Sequence, residues 1–300
     1  MRALSASILS LFIISIVIAQ DVKVSSGKII RHELFNSKFV DKRNIDVWLP
    51  DDYTLNKKYA VIYIHDGQML FDASLTWNKQ EWGVDEVMAS LMRNKRIRNC
   101  IVVGIWNNKQ KRHAEYFPQR SWKLISRAEQ QNILQMESVH INPKTFEKEM
   151  LADAYLKFIV RELKPYIDQH YSTKTDKANT FMMGSSMGAL ISIYALCEYP
   201  GIFGGSICLS THWPAINGIT LYFLEDNLPK PQTHKIYFDY GTATLDSLYE
   251  PYQLKVDSIM HMHGFQKNIN FLSKKFEGAE HSESSWRRRL HIPLEWMLKE

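Results

Sequence analysis

The sequence predicts the α/β class, with a mostly parallel central sheet and helices on both faces of that sheet. Two observations predict it. Short, nearly continuous apolar runs alternate along the chain with longer stretches of helical pattern, and continuous apolar runs are typical of strands that are covered on both faces. A repeated strand–helix order is also the arrangement from which parallel sheets are built.

The predicted elements follow one another in a regular order. Strands are predicted at residues 43–49, 59–65, 100–105, 179–183, 205–210, 235–240 and 268–276. Helices are predicted near residues 82–93, 147–170, 187–199, 252–263 and 284–298. Residues 21–42 are expected to begin with an antiparallel edge strand. The irregular, basic segment at about residues 119–144 interrupts the order and is predicted to be an insertion, a candidate lid or pocket wall.

The first 20 residues differ in composition from the rest. Arg2 precedes the apolar run 8–18, and Ala19 precedes Gln20. A positive residue, a short apolar run and a small residue before the cleavage point are typical of a secretory signal peptide. We therefore expect residues 1–19 to be removed and residues 20–300 to form one domain. The mature protein is expected to be periplasmic or secreted, without stable membrane insertion.

The composition limits the kinds of partner. The 300 residues are 45% hydrophobic and 23% charged, with a formal net charge of +5, which is ordinary for a globular protein. The basic clusters are too short for a nucleic-acid-binding tail, so no nucleic acid partner is expected. The three cysteines, Cys100, Cys197 and Cys208, have no C-x-x-C spacing. We predict no metal site and no cofactor.

The pentapeptide Gly184-Ser185-Ser186-Met187-Gly188 lies between an apolar strand and a helical pattern. In that context G-x-S-x-G is typical of a sharp strand-to-helix turn that exposes the serine hydroxyl beyond the end of the strand. The turn also directs the amide of Met187, at the start of the helix, toward a carbonyl under attack. Ser186 is therefore the predicted nucleophile, and Ser185 is the alternative at the wrong place in the motif.

A serine hydroxyl needs a base to take its proton, so a histidine is required. In this fold an acid and then the histidine follow the serine, each after a different strand. His281 directly follows the last predicted strand and precedes a helix, whereas His212 comes too early in the chain. His281 is therefore the predicted general base.

Two aspartates follow the strand predicted at residues 235–240. Asp239 lies within the end of the strand and Asp246 lies in the loop after it. Asp246 is favoured as the acid because the loop can reach His281 and orient its imidazole. Asp239 is expected to hold the loop by hydrogen bonds, and Glu250 is a more distant third candidate.

A second oxyanion donor is expected from the loop after the third strand, at residues 65–72. Gly67 allows a close backbone approach there, and the amide of Gln68 is the preferred donor, with that of Gly67 as the alternative. His65 is predicted to be structural because no H-E-x-x-H or H-x-x-E-H spacing accompanies it.

Tryptophans follow several predicted strands near their carboxyl ends, where open α/β sheets bind ligands. Of these, Trp213, Trp77 and Trp82 are predicted to line the substrate pocket, with Trp213 as the first choice. Trp106 lies in a similar position. Arg112, together with residues 115–118, is predicted to brace the same rim.

At these residues the chain resembles the putative esterase family of the α/β-hydrolase superfamily, which includes enterobactin-type siderophore esterases, feruloyl and other carbohydrate esterases, and mycolyltransferases. The matching segments are residues 65–72, 102–105, Arg112 with 115–118, 184–188, 240–242 leading to Asp246, and 281–283 before Trp286. They lie between about residues 40 and 298. The resemblance implies the α/β-hydrolase fold and a triad of Ser186, Asp246 and His281. In carbohydrate esterases of the family the acid often follows Gly-Thr-x directly, whereas here residues 243–245 intervene.

Together the residues predict an exported serine hydrolase that cleaves carboxylic esters through an acyl-enzyme. The expected partner is a small-molecule or carbohydrate ester. The basic residues between 109 and 127 would suit a negatively charged siderophore, and tryptophans at the rim would suit sugar or phenolic esters. The alternatives are an acyltransferase on the same fold and a non-catalytic binding module.

Overall fold

An eight-stranded sheet forms the centre of the computed structural model, which describes residues 22–135 and 150–299. Its strands are β1 (Lys28–Phe35), β2 (Arg43–Leu49), β3 (Ala60–His65), β4 (Cys100–Ile105), β5 (Thr180–Ser185), β6 (Gly205–Leu209), β7 (Lys235–Gly241) and β8 (Phe271–Phe276). Their order across the sheet is β1-β2-β4-β3-β5-β6-β7-β8. The β1–β2 and β2–β4 pairs are antiparallel, and all the other pairs are parallel.

The burial of the strands explains this arrangement. Every residue of β3, β4, β5 and β6 is buried, which fits strands with helices on both faces. β1 is half exposed along its length and pairs only with β2, so it forms one edge of the sheet. The predicted mostly parallel sheet with an antiparallel edge is therefore confirmed.

Helices cover the two faces of the sheet. They are α1 (Val84–Arg93), α2 (Arg112–Tyr116), α3 (Gln119–Trp122), α4 (Arg127–Gln135), α5 (Ala152–Phe158), α6 (Lys164–His170), α7 (Met187–Glu198), α8 (Ile219–Asn227), α9 (Glu250–Met262), α10 (Glu283–Arg289) and α11 (His291–Leu298). Helices α1 and α11 contribute to one buried cluster, and α5, α7 and α9 contribute to the other. Most of α7 is buried, so this helix lies inside the core rather than on its surface.

Some predicted elements differ from the structure. The described part of the predicted insertion forms α3 and α4 instead of irregular chain, because Trp122 packs in the core and anchors it. Helix α8 was not predicted, since two residues with positive φ, Ile216 and Asn217, precede it and hide its start. The rest of the insertion, residues 136–144, and the predicted signal peptide, residues 1–19, lie outside the described residues. No helix in the described ranges has the length and apolar character needed to cross a bilayer.

The sheet brings distant loops together. The carboxyl ends of parallel strands meet at one edge of a sheet, where ligands bind in open α/β folds. The loops that follow β3, β5, β7 and β8 therefore share one edge of the sheet. The first and the last of these loops are separated by more than 200 positions in the sequence, roughly from residue 66 to residue 281.

Candidate active site

Ser186 lies at the tip of the sharp turn between β5 and α7, which we call the nucleophile turn (residues 184–188). Its backbone has φ 55° and ψ −121°, a conformation that residues with side chains rarely adopt and that needs support from the surrounding structure. A Cβ on Gly184 would lie 2.3 Å from the carbonyl oxygen of Gly188. Glycine is therefore required at position 184 for β5 and α7 to approach this closely.

His281 and Asp246 are joined at the same edge of the sheet. The Nδ1 atom of His281 lies 2.5 Å from Oδ1 of Asp246. The other carboxylate oxygen of Asp246 accepts hydrogen bonds from the Gly241 amide at 2.6 Å and from the Ser210 hydroxyl at 2.5 Å. Burial favours the neutral carboxyl, but the hydrogen bond and charge of His281, with the bonds from Ser210 and Gly241, hold the pKa of Asp246 below its usual value.

The imidazole of His281 is held on two sides by aromatic rings. Tyr249 and Trp286 meet it edge to face, with ring centroids 5.7 Å and 5.1 Å away. Ser186 and His281 line the same cleft, although within the described residues no hydrogen bond joins their side chains. Such bonds often form only when the substrate is bound. The cleft therefore contains both the serine and an imidazole that is already oriented by a carboxylate.

Asp239 has a different set of partners. It is fully buried, and its carboxylate pairs with Arg289 at 2.9 Å and accepts hydrogen bonds from the Tyr237 hydroxyl and the Ser210 amide. Of the two aspartates, the structure thus joins Asp246 to His281 and joins Asp239 to Arg289. Glu250 lies further on, at the start of α9, with Lys275 as its ion-pair partner.

The loop after β3 lies against β4. A Cβ on Gly67 would lie 2.6 Å from the backbone carbon of Gly104, so the close backbone approach expected there is present. Gly67 begins a 3₁₀ turn that includes Gln68, and Gln68 lines the cleft with Ser186. Met187 is the first residue of α7, and the first amides of a helix have no acceptor within it. The backbone amides of Gln68 and Met187 are thus available at this edge of the sheet.

Asp66 holds this loop in place. Its backbone is left-handed, with φ 57°, and its carboxylate receives two hydrogen bonds from Arg112, at 2.7 Å and 2.8 Å. Asn107 donates a third at 2.6 Å. Burial opposes ionisation, but the Arg112 charge and these hydrogen bonds keep the pKa of Asp66 below its usual value. Arg112 therefore braces the loop that carries Gln68.

The cleft has a volume of about 850 Å³, within the range of small-molecule sites. Its aromatic residues are Trp77, Trp82, Trp106 and Trp286, and its amide side chains are those of Gln68, Asn78, Gln80 and Asn107. Trp77 is 83% exposed and stands at the rim, whereas Trp82 is buried in the wall. Of the predicted pocket residues, Trp77, Trp82 and Arg112 all lie in this cleft.

Trp213 is not part of the cleft, which corrects the expectation that it lines the pocket. It is only 1% exposed, and its indole N–H donates to Gln253 on α9 at 2.8 Å. Its ring packs against Phe238 of β7. The chain turns inward after β6, so the indole fills the space between the sheet and α9 instead of facing the substrate.

His65 is fully buried at the end of β3, and its Nδ1 lies 2.9 Å from the Tyr155 hydroxyl. Burial lowers the pKa of His65 to about 3. The residue is therefore neutral at pH 7. Within residues 22–135 and 150–299 there is no cluster of His, Cys, Asp or Glu side chains that could hold a metal ion.

Two residues near the site, Ser210 and Tyr249, were not singled out from the sequence, and a third, His212, was considered only as the base and set aside. The Ser210 hydroxyl bonds Asp246 and accepts hydrogen bonds from Trp286 and Arg289. His212 and Tyr249 are joined at 2.8 Å beside Ser186. The one available signal was position, since Ser210 and His212 directly follow a strand and Tyr249 follows Asp246 by three residues.

Solved structures with the same fold include esterases and a serine hydrolase. An IroE-like serine hydrolase from Shewanella oneidensis has a TM-score of 0.64 and 20% identity over 90% of this chain and 79% of its own. The ferulic acid esterase AmCE1/Fae1A from Anaeromyces mucronatus has a TM-score of 0.61 and 17% identity, over 93% and 95%. The enterobactin esterase FES from Shigella flexneri has a TM-score of 0.60 and 15% identity, over 92% and 60%.

The sequence itself matches a family model over most of its length. Residues 37–294 match the family described as Putative esterase. The matched span includes the nucleophile turn, Asp246, His281 and the loop after β3. The chain therefore belongs to the Putative esterase family and is a carboxylic ester hydrolase of the α/β-hydrolase fold.

Proposed function

We propose that the protein is an exported serine esterase in which Ser186, His281 and Asp246 form a catalytic triad. The observation that carries the proposal is the 2.5 Å contact between His281 and Asp246 at the cleft that also contains Ser186. The strained backbone of Ser186 supports the role of nucleophile. Export is supported by the composition of residues 1–19.

The reaction would proceed by double displacement. His281 takes the proton of Ser186 while the serine oxygen forms a bond to the ester carbonyl carbon, and the amides of Gln68 and Met187 stabilise the oxyanion. The carbon–oxygen bond to the alcohol then breaks, and His281 returns the proton to the leaving alkoxide. Water repeats the sequence on the acyl-enzyme, which releases the acid and restores Ser186. Asp246 keeps the imidazole in the required tautomer and stabilises its cation.

The charged side chains that line the cleft nearly balance one another: Arg112 is paired with Asp66, and Lys109 and Glu283 add one charge of each sign. Three basic residues of the segment 109–127 are paired with carboxylates: Lys111 with Asp41, Arg112 with Asp66, and Arg120 with Glu198. The segment therefore offers less free positive charge to a siderophore anion than its sequence suggests. The exposed ring of Trp77 and the amide side chains of the cleft suit a flat phenolic ring or a sugar. We propose phenolic or carbohydrate esters as the preferred substrates.

Replacement of the nucleophile tests the proposed reaction. Ser186→Ala is expected to abolish hydrolysis of a chromogenic acetyl ester and labelling by a fluorophosphonate probe, because no other group can form the acyl-enzyme. Ser185→Ala is the matched control, since it removes the neighbouring hydroxyl at the end of β5 and should leave labelling intact. Labelling that survives in Ser186→Ala would refute the assignment, and a wild-type protein that is never labelled would indicate a binding module.

A panel of esters separates the substrate classes. Purified protein would be assayed with feruloyl, acetyl-sugar and catecholate-siderophore esters, each with and without an added alcohol acceptor. A preference for the catecholate ester would contradict the charge argument. Transfer of the acyl group to the alcohol in place of water would identify an acyltransferase.

A further inference from the structure

Tyr249 lies beside the proposed catalytic groups without a role in the mechanism described above. It directly follows the 3₁₀ turn Thr244–Leu248, which carries Asp246, and its amide donates to the Asp246 carbonyl at 3.0 Å. The side chain is fully buried, and its ring meets the His281 imidazole edge to face. The turn that carries the acid therefore also fixes the position of the Tyr249 ring.

The hydroxyl of Tyr249 joins two groups that belong to the nucleophile turn or contact it. It lies 2.8 Å from Nδ1 of His212, and the backbone amide of His212 donates to the Ser186 carbonyl at 3.3 Å. Hydrogen bonding to the Ser186 side chain lowers the pKa of the same phenol, against the larger effect of burial, so the two hydroxyls lie side by side. Ser186, Tyr249 and His212 thus form a chain of polar groups that approaches the serine separately from His281.

Neither Tyr249 nor His212 is charged at neutral pH. Burial raises the pKa of the Tyr249 phenol far above its usual value. Burial, helped by the neighbouring His281, His113 and Arg112 and opposed by Asp246, lowers the pKa of His212 to about 4. The lowered pKa makes His212 a weaker base than an ordinary imidazole, and the phenol keeps its proton, so the pair is a poor substitute for His281. What it can do is accept and donate hydrogen bonds from a fixed position.

We propose that Tyr249, oriented by His212, is a positioning residue that holds the Ser186 hydroxyl in the rotamer from which it attacks the substrate. This inference rests on the proposed function of Ser186. Without the phenol hydroxyl the serine oxygen is free to occupy other rotamers, and fewer encounters with substrate are productive. The His212 side chain acts on the serine hydroxyl through Tyr249, whereas its backbone amide bonds the Ser186 carbonyl whatever the side chain is.

The test is a double-mutant cycle on the rate of serine acylation. Tyr249→Phe keeps the ring and its contact with His281, and His212→Ala removes the partner of the hydroxyl. Each single variant is expected to lower the second-order rate of fluorophosphonate labelling by about tenfold, roughly the effect of one hydrogen bond. The double variant is expected to be no slower than either single variant, because both remove the same interaction. For ester hydrolysis, kcat should fall with KM unchanged.

Tyr194→Phe is the matched control. It removes another buried tyrosine hydroxyl, which donates to Asp153 at 2.6 Å from the helix that follows the nucleophile, and labelling should stay at the wild-type rate. If Tyr249→Phe labels as fast as the wild type, or if the two single effects simply add, the positioning role is refuted while the esterase proposal stands. If the wild-type protein is not labelled at all, the proposed function itself fails.

Discussion

Asp239 and Asp246 belong to one strand and its following loop, and both are almost completely buried, yet their partners assign them different roles. Asp239 balances the buried charge of Arg289, so its carboxylate is committed to an ion pair. Asp246 receives neutral donors on one oxygen and the imidazole of His281 on the other. A carboxylate bonded to an imidazole can stabilise the cation that the proposed reaction forms on that ring.

Asparagine at each of the two positions should therefore have opposite effects. Asp246→Asn is expected to lower kcat by about a thousandfold or more, because the imidazole loses its orienting carboxylate, with little change in unfolding free energy. Asp239→Asn should cost about 3 kcal/mol of stability, because Arg289 would remain buried without its partner. Ester hydrolysis measures kcat for both variants, and urea unfolding measures their unfolding free energies. The reverse pattern would exchange the two assignments.

The sequence predicts which residues lie near the site, but it does not show which of them contact one another. Ser186 and His281 were predicted from the motif and from position in the chain, and both lie in the cleft. The two aspartates follow the same strand, so their order along the chain could only favour one of them. Trp213 was misplaced for a related reason: position after a strand does not reveal whether a side chain turns toward the cleft or toward a helix.

At the scale of elements, the loops after β7 and β8 are joined through their backbones. The amides of Thr242 and Ala243 both donate to the Ala279 carbonyl, at 3.1 Å and 3.0 Å. The His281 amide donates to the Thr244 hydroxyl at 2.9 Å. These bonds hold the loop of Asp246 against the loop of His281, so the contact between Asp246 and His281 is set by the fit of the two loops.

Gly241 is the residue that allows this fit, and alanine there should disturb it. A Cβ at position 241 would lie 2.0 Å from the Ala279 carbonyl oxygen, so the two loops would have to separate. We expect Gly241→Ala to lower kcat at least about tenfold, because small displacements of catalytic groups are costly, and to destabilise the fold by about 1–3 kcal/mol.

Gly201→Ala is the control, because a Cβ there would meet no atom within 4 Å. Both variants would be compared by ester hydrolysis and thermal unfolding. Unchanged kcat in Gly241→Ala would show that the two loops tolerate separation, and that their fit does not set the geometry of the proposed triad.

Most strands could be predicted from the sequence, but the start of helix α8 and the helices of the insertion could not. The central strands are continuous apolar runs, so their predicted bounds agree with the structure to within a few residues. Helix α8 has no clear apolar stripe and begins after residues with positive φ, which no periodicity reveals. The helices of residues 119–135 depend on packing against the core, and their polar sequence gives no sign of it.

At the scale of the whole molecule, the core contains a buried histidine, His65, that is neutral in the folded protein. The folded pKa of His65 is about 3, below the value of about 6.5 expected in the unfolded chain. Below pH 6.5 the unfolded chain therefore binds a proton that the folded protein does not. The part of the unfolding free energy that depends on neutral His65 is complete above pH 6.5 and is lost as the pH falls from 6.5 toward 3.

His65→Gln should reduce this acid sensitivity. For one such group the slope is up to about 1.4 kcal/mol per pH unit, so the free energy of unfolding of the wild type should fall more steeply than that of the variant between pH 6 and pH 4.5. Glutamine retains a polar group for the Tyr155 hydroxyl but does not titrate. Urea unfolding at several pH values measures both slopes, and parallel slopes would contradict the assignment of a neutral buried imidazole.

The sequence by itself determined the class of the fold, the strand-to-helix turn at Ser186 and the position of His281 after the last strand, because periodicity, glycine spacing and chain order are local properties. Only the tertiary structure decided which aspartate meets His281, which tryptophans face the cleft, which basic residues are already paired, and that Tyr249 and His212 stand beside the serine. The physical reason is that these facts depend on side-chain directions and on contacts between loops far apart in the chain. A sheet brings such loops to one edge, but which of their side chains then touch cannot be predicted from the sequence alone.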